Sequence, residues 1–124
     1  MNYVVRDMGG PMAIVNRFTV KEDIQLFERE FLQHTGWFGS QASIDFMATC
    51  QVIKRPKVYW HFGFWQTLAA FVEAVHDETY LRRAERLGRM VDTRADQTVS
   101  VRRVAGEGGC DITPSTAVAI THFR

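Results

Sequence analysis

The chain is short of the features that would tie it to a disulfide framework, a metal cluster, a membrane or a polyanion. Only two cysteines, Cys50 and Cys110, occur in its 124 residues. They are far apart and in no metal-binding or redox spacing, which argues against a stapled secreted scaffold and predicts a reduced, cytoplasmic setting. No apolar run approaches the roughly eighteen residues of a membrane span, and the opening segment MNYVVRDMGGP has no basic-then-apolar leader layout. A dominant charge is also missing: fifteen Lys and Arg against fourteen Asp and Glu leave a formal charge of +1. That is too little for an electrostatic footprint on nucleic acid or acidic lipid, so neither is expected as a partner. What remains is 46% apolar and 23% charged residues, an ordinary composition for one globular domain able to bury a single core.

The most informative segment is VYWHFGFW, residues 58–65. Alternation along a strand puts Val58, Trp60, Phe62 and Phe64 on one side and Tyr59, His61, Gly63 and Trp65 on the other. Both sides are apolar or aromatic, so both need cover. Helices on a two-layer α+β domain cover one face of the sheet, which leaves the second for a partner subunit or an enclosed ligand pocket. His61 is expected on the second face, in a chamber made when two sheets clasp.

The rest of the chain supplies the other elements. MAIVNRFTV, residues 12–20, reads as a first strand with Ile14, Asn16 and Phe18 on one face. Residues 21–35 read as a helix ended by Gly36 as a left-handed cap. His34 then lies near its end and complements the helix dipole. A strand over 40–54 places Ala42, Ile44, Phe46, Ala48, Cys50 and Val52 on one face, and Arg55-Pro56-Lys57 reads as the turn into the aromatic strand. Thr67 N-caps a helix with the stripe Leu68, Phe71, Val72 and Val75. Asp77 caps another, with Tyr80, Leu81, Ala84, Leu87 and Val91 inward and Arg82, Arg83, Arg86 and Arg89 toward water or a rim. Residues 97–104, QTVSVRRV, read as the last strand, and 105–124 as a C-terminal extension, an added strand or a partner-contacting arm. The order β-α-β-β-α-β predicts an α+β, ferredoxin-like domain over 1–104, with a four-stranded antiparallel sheet that pairs with a second copy as a dimeric α/β barrel.

NRFTV at 16–20, GWFGSQ at 36–41 and VYWHFGFWQTLAAFVEAVHD at 58–77 together resemble the antibiotic biosynthesis monooxygenase family of small dimeric α/β-barrel proteins, over about residues 12–104. The resemblance implies a homodimer and a flat, aromatic or polyketide-like substrate. In the haem-degrading branch of that family, the Trp and the iron-ligating His would fall near Ala74 and Ala84. Alanine cannot ligate iron, so no haem or other metal is expected. In the branch that oxidises aromatic polyketide intermediates without metal or flavin, the family pattern falls on His61, Trp65 and Phe71, with His where a relative has Asn and Phe where a relative has Tyr.

Oxygenation without a cofactor requires that an electron-rich substrate lose a proton and pass an electron to dioxygen, while the protein holds the anion and excludes water. The residues expected to do this are His61 as base, Asn16 as hydrogen-bonding stabiliser of an oxyanion or peroxide, and Trp65 as a stacking platform. Tyr59, Phe18, Ile14, Phe71 and His76 are expected around the substrate. Each also has a plain reading: a satisfied structural amide, a core imidazole, a packing indole, a helix-capping His76. Two other functions therefore stay open: a cyclase using the same base and stabiliser, and a non-catalytic dimer that binds a hydrophobic ligand or serves as a scaffold.

Overall fold

A computed structural model describes residues 11–99 and 119–121. The end of the expected last strand, the rest of the C-terminal extension, Cys110 and His122 lie outside the described residues. The elements run β1 (Met12–Val20), α1 (Ile24–Phe38), β2 (Ile44–Val52), β3 (Arg55–Trp65), α2 (Leu68–Val75), α3 (Glu78–Gly88) and β4 (Val91–Val99). The strands form one antiparallel sheet in the order β2-β3-β1-β4, the ferredoxin-like arrangement.

Local chemistry sets the helix starts. The Asp23 carboxylate accepts from the backbone N–H of Gln25 at 2.9 Å and of Leu26 at 3.4 Å, so α1 begins after Asp23 rather than at Lys21. The Thr67 hydroxyl accepts from Ala70 N–H at 3.1 Å and the Asp77 carboxylate from Thr79 N–H at 2.8 Å, each cap holding about 1 kcal/mol. Gly36 does not end α1. The helix continues to Phe38 and is capped by Gly39 in right-handed geometry, φ −58°. A glycine inside a helix costs about 1 kcal/mol, whereas burying a phenylalanine side chain gains about 1.5–3 kcal/mol, and one more turn is what delivers Phe38 to the core.

Two other boundaries differ from the sequence reading. The turn into β3 falls at Ile53 and Lys54, with Val52 paired to Arg55. Pro56 is tolerated inside β3 because β1 pairs only with Val58 to Trp65, so no ladder bond on that side needs its missing N–H. The last strand begins at Val91, six residues before the expected Gln97, because α3 stops at Gly88 and Val91 pairs with Val20 in the core. The polar run Asp92–Gln97 hides a strand whose outward positions are charged.

The helices pack on one face of the sheet. Phe18, Val20, Phe27, Phe31, Tyr59, Leu87 and Val91 form one buried cluster, and Met12, Ile14, Phe38, Trp65 and Ala74 another. The opposite face carries Val15, Phe46, Ala48, Cys50, Trp60, Phe62 and Phe64, partly buried, with Phe46 and Phe64 stacked at 4.4 Å. Among the described residues no helix covers this face.

Candidate active site

Strand register builds the site. Across the sheet, Ala95 of β4 pairs with Asn16 of β1, Asn16 with His61 of β3, and His61 with Thr49 of β2. The neighbouring rows are Gln97, Ile14, Gly63, Met47 and Thr93, Phe18, Tyr59, Gln51. From above, α1 contributes Phe27, Phe31, His34 and Phe38, spaced i, i+4, i+7 and i+11 on its buried stripe. Asn16, His61 and His34 thus form a polar belt between the two apolar clusters.

This geometry corrects the expected placement of His61. The imidazole lies beneath the helices, edge-on to Phe31 at 5.0 Å between ring centres and roughly parallel to Phe18 at 6.4 Å. It therefore cannot line a chamber between two sheets. The physical reason is parity: Tyr59, His61, Gly63 and Trp65 share the face on which Phe18 and Val20 meet α1, and the second apolar face belongs to Trp60, Phe62 and Phe64. By itself this orientation counts against a catalytic His61. The space beneath the helices, however, is not filled. A cavity of about 270 Å³ opens inside the single chain, with Ile14, Asn16, Phe18, His34, His61 and Trp65 among its walls.

The expected residues divide accordingly. Phe71 also lines this cavity, as do Gly63, Tyr80 and Ala84. Trp65 is 1% exposed and packs edge-on to Phe38 and Phe71. Its indole Nε1 is buried without a hydrogen-bond partner among the described residues. Gly63 keeps the floor open, since a Cβ there would sit 3.4 Å from Trp65 Nε1 and 3.3 Å from Met47 Cε. Tyr59 is not in this cavity. Its hydroxyl donates to Glu28 Oε1 at 2.7 Å and accepts from Gln51 Nε2 at 3.2 Å, and burial together with the Glu28 contact raises its pKa. Nor is His76, which is exposed at the end of α2 with Nδ1 2.6 Å from the Val72 carbonyl oxygen. Ile44 joins Trp65 on the helix side because a register shift between Ile44 and Phe46 reverses its parity.

His34 is the residue sequence reasoning misplaced. It sits inside α1, 6% exposed, against Phe38 at 5.0 Å and Tyr80 at 5.3 Å, and its Nδ1 has no hydrogen-bond partner among the described residues. The signal was present: His34 falls on the same helical stripe as Phe27, Phe31 and Phe38. Burial, and then the nearby Arg83 guanidinium, lower its pKa to about 4. His61 is likewise lowered to about 4, by burial and then by His34. Both imidazoles are neutral at pH 7. His61 Nδ1 and Thr49 Oγ1 share a hydrogen bond of 2.8 Å, which leaves Nε2 for the cavity.

The positions where the sequence resemblance would seat a haem do not fit one: Ala84 lines the cavity and Ala74 is buried in α2. Among the described residues no three of His, Cys, Asp and Glu come together as a metal-binding group, and no helix is long and apolar enough to cross a membrane.

Solved structures of the same architecture include SnoaB from Streptomyces nogalater, described as a cofactor-independent oxygenase. It is 20% identical with a TM-score of 0.74, over 78% of this chain and 99% of that one. A protein from Caulobacter crescentus described as a candidate antibiotic biosynthesis monooxygenase is 12% identical with a TM-score of 0.70, over 77% and 93%. A third, from Bordetella bronchiseptica and described in the same terms, is 15% identical with a TM-score of 0.63, over 75% and 99%. The chain has the fold of the antibiotic biosynthesis monooxygenase proteins. No family model matches the sequence, and no curated protein does.

Proposed function

We propose that the chain is a cofactor-independent monooxygenase acting on a flat aromatic or polyketide-like small molecule in secondary metabolism. The observation that carries this reading is the cavity of about 270 Å³, near the lower end of the roughly 300–1,000 Å³ of ligand sites, with a polar belt crossing an aromatic lining. The likeness to an oxygenase described as cofactor-independent supports the same reading. A space of this kind supports a ligand-handling protein over a scaffold whose aromatics interlock.

His61 Nε2 takes a proton from the substrate, whose anion gives an electron to dioxygen. The imidazolium is disfavoured in the empty site, and the substrate anion beside it offsets that penalty by charge pairing. Asn16 lies next to His61 on the same floor and hydrogen-bonds the developing oxygen anion. Trp65 and Phe71 hold the ring system and keep water out. For a hydroxylated anthrone the balance is one methylene plus dioxygen giving one carbonyl and water, with no external reductant. In the same reading the chain works in the cytoplasm as a homodimer, joined through the sheet face that bears Trp60, Phe62 and Phe64.

The test is oxygen uptake with a hydroxylated anthrone and no added cofactor. We expect uptake by the wild type and its loss, with folding intact, in His61→Ala and Asn16→Ala. Unchanged uptake in both variants removes the mechanism, and product formation under nitrogen at an undiminished rate replaces oxygenation with cyclisation.

A further inference from the structure

We propose that Thr49 is the proton exit of the site: its hydroxyl fixes the His61 tautomer and passes the Nδ1 proton to water in a second recess on the far side of the imidazole. The proposal deepens the reading of His61 as a base and rests on it.

The geometry is specific. His61 lines the main cavity, and Thr49 does not. Thr49 instead lines a separate recess of about 260 Å³ between α1 and β2, together with Glu28, Leu32, Thr35, Gln51 and Tyr59. Phe27 and Phe31 line both spaces, and the His61–Thr49 hydrogen bond joins a residue of one to a residue of the other. β2 is an edge strand and Thr49 is an exposed residue lining the recess, and its Oγ1 stands 2.8 Å from His61 Nδ1 in a part-buried hydrogen bond. An imidazole has two nitrogens on opposite sides of the ring, and here one addresses the cavity and the other leads out of it.

The exchange balances with no co-reactant. In the resting site Nδ1–H donates to Thr49 Oγ1, and Nε2 carries no proton. A ligand proton moves to Nε2, the Nδ1 proton moves to Thr49 Oγ1, and the hydroxyl's own proton passes to water in the recess. Afterwards the ring holds its proton on Nε2; that proton then goes to the reduced oxygen that leaves as water, while Thr49 Oγ1 returns a proton from the recess to Nδ1, which restores the resting tautomer with no net proton released over the turnover. This removes a cation from a site that resists one: His61 is buried beside His34, and burial holds its pKa at about 4. Thr49 is a positioning residue, since it reaches the ligand only through the imidazole.

Two measurements on the full chain test this. Nitrogen-15 spectra of the imidazoles at pH 7.5 should show His61 protonated at Nδ1 and bare at Nε2 in the wild type and in Thr49→Ser, and protonated at Nε2 in the isosteric Thr49→Val. Oxygen uptake with a hydroxylated anthrone should fall about 10- to 100-fold in kcat for Thr49→Val, with KM within about twofold and Thr49→Ser restored to near the wild type. A wild-type His61 protonated at Nε2, or a Thr49→Val protein with full kcat, overturns the exit while leaving His61 as base. Full activity of His61→Ala instead overturns the reading of the site itself. If the anthrone is not turned over, the tautomer spectra alone decide.

Discussion

Acid should destabilise this protein through two buried histidines. An ordinary imidazole has a pKa of 6.5, whereas His34 and His61 are each lowered to about 4. Between these values the unfolded chain binds protons that the folded chain refuses, so stability is full above pH 6.5 and falls as the pH drops toward 4. At pH 5 the linkage relation gives a loss of about 2 kcal/mol for each ring, on the order of 4 kcal/mol for the pair. For a domain of this size that corresponds to a fall in Tm on the order of 15 °C. The assay is thermal unfolding at constant ionic strength between pH 7.5 and 5, for the wild type and for His34→Gln/His61→Gln. The double variant starts from its own Tm but should lose most of the slope. A wild-type Tm that stays level across this window, or a double variant that falls as steeply, would refute the claim that both rings are buried neutral.

Two further outcomes bear on the cavity and on the open sheet face. Gly63→Ala places a Cβ 3.3 Å from Met47 Cε and 3.4 Å from Trp65 Nε1. The methionine end can yield, so stability should change by about 1 kcal/mol or less, while the Kd for a hydroxylated anthrone, read by tryptophan fluorescence, should rise about tenfold. An unchanged Kd would place the ligand elsewhere. Sedimentation equilibrium should find the wild type a dimer and Phe62→Glu a monomer with its secondary structure retained; a monomeric wild type removes the proposed interface and leaves the cavity, which belongs to one chain.

Much of the fold was legible in the sequence because its signals are local. Alternation in residues 12–20 and 58–65 gave the two central strands and the shared face of Ile14, Asn16 and Phe18. Asp77 and Thr67 announced helix starts because a short polar side chain meeting bare N–H groups needs no partner elsewhere in the fold. Boundaries were missed where a distant contact outweighed a local preference. Gly36 reads as a stop, yet Phe38 gains more in the core than the glycine loses. β4 is too polar to alternate visibly, and its pairing with β1 is what makes it a strand.

The residue pattern by itself determined that one strand must be greasy on both sides, that His61 and Trp65 share one of those sides, and that Ile14, Asn16 and Phe18 share a face of another strand, since period-2 geometry allows nothing else. Only the tertiary structure decided which of those two sides the helices cover. That choice placed His61 under α1, brought His34 to it from eleven residues beyond Asp23, set Thr49 on its outer nitrogen, and moved the cavity from between two molecules to the inside of one. Alternation fixes which side chains share a face, but the assignment of faces depends on where α1, α2 and α3 find their apolar partners, a long-range packing outcome that no local pattern encodes.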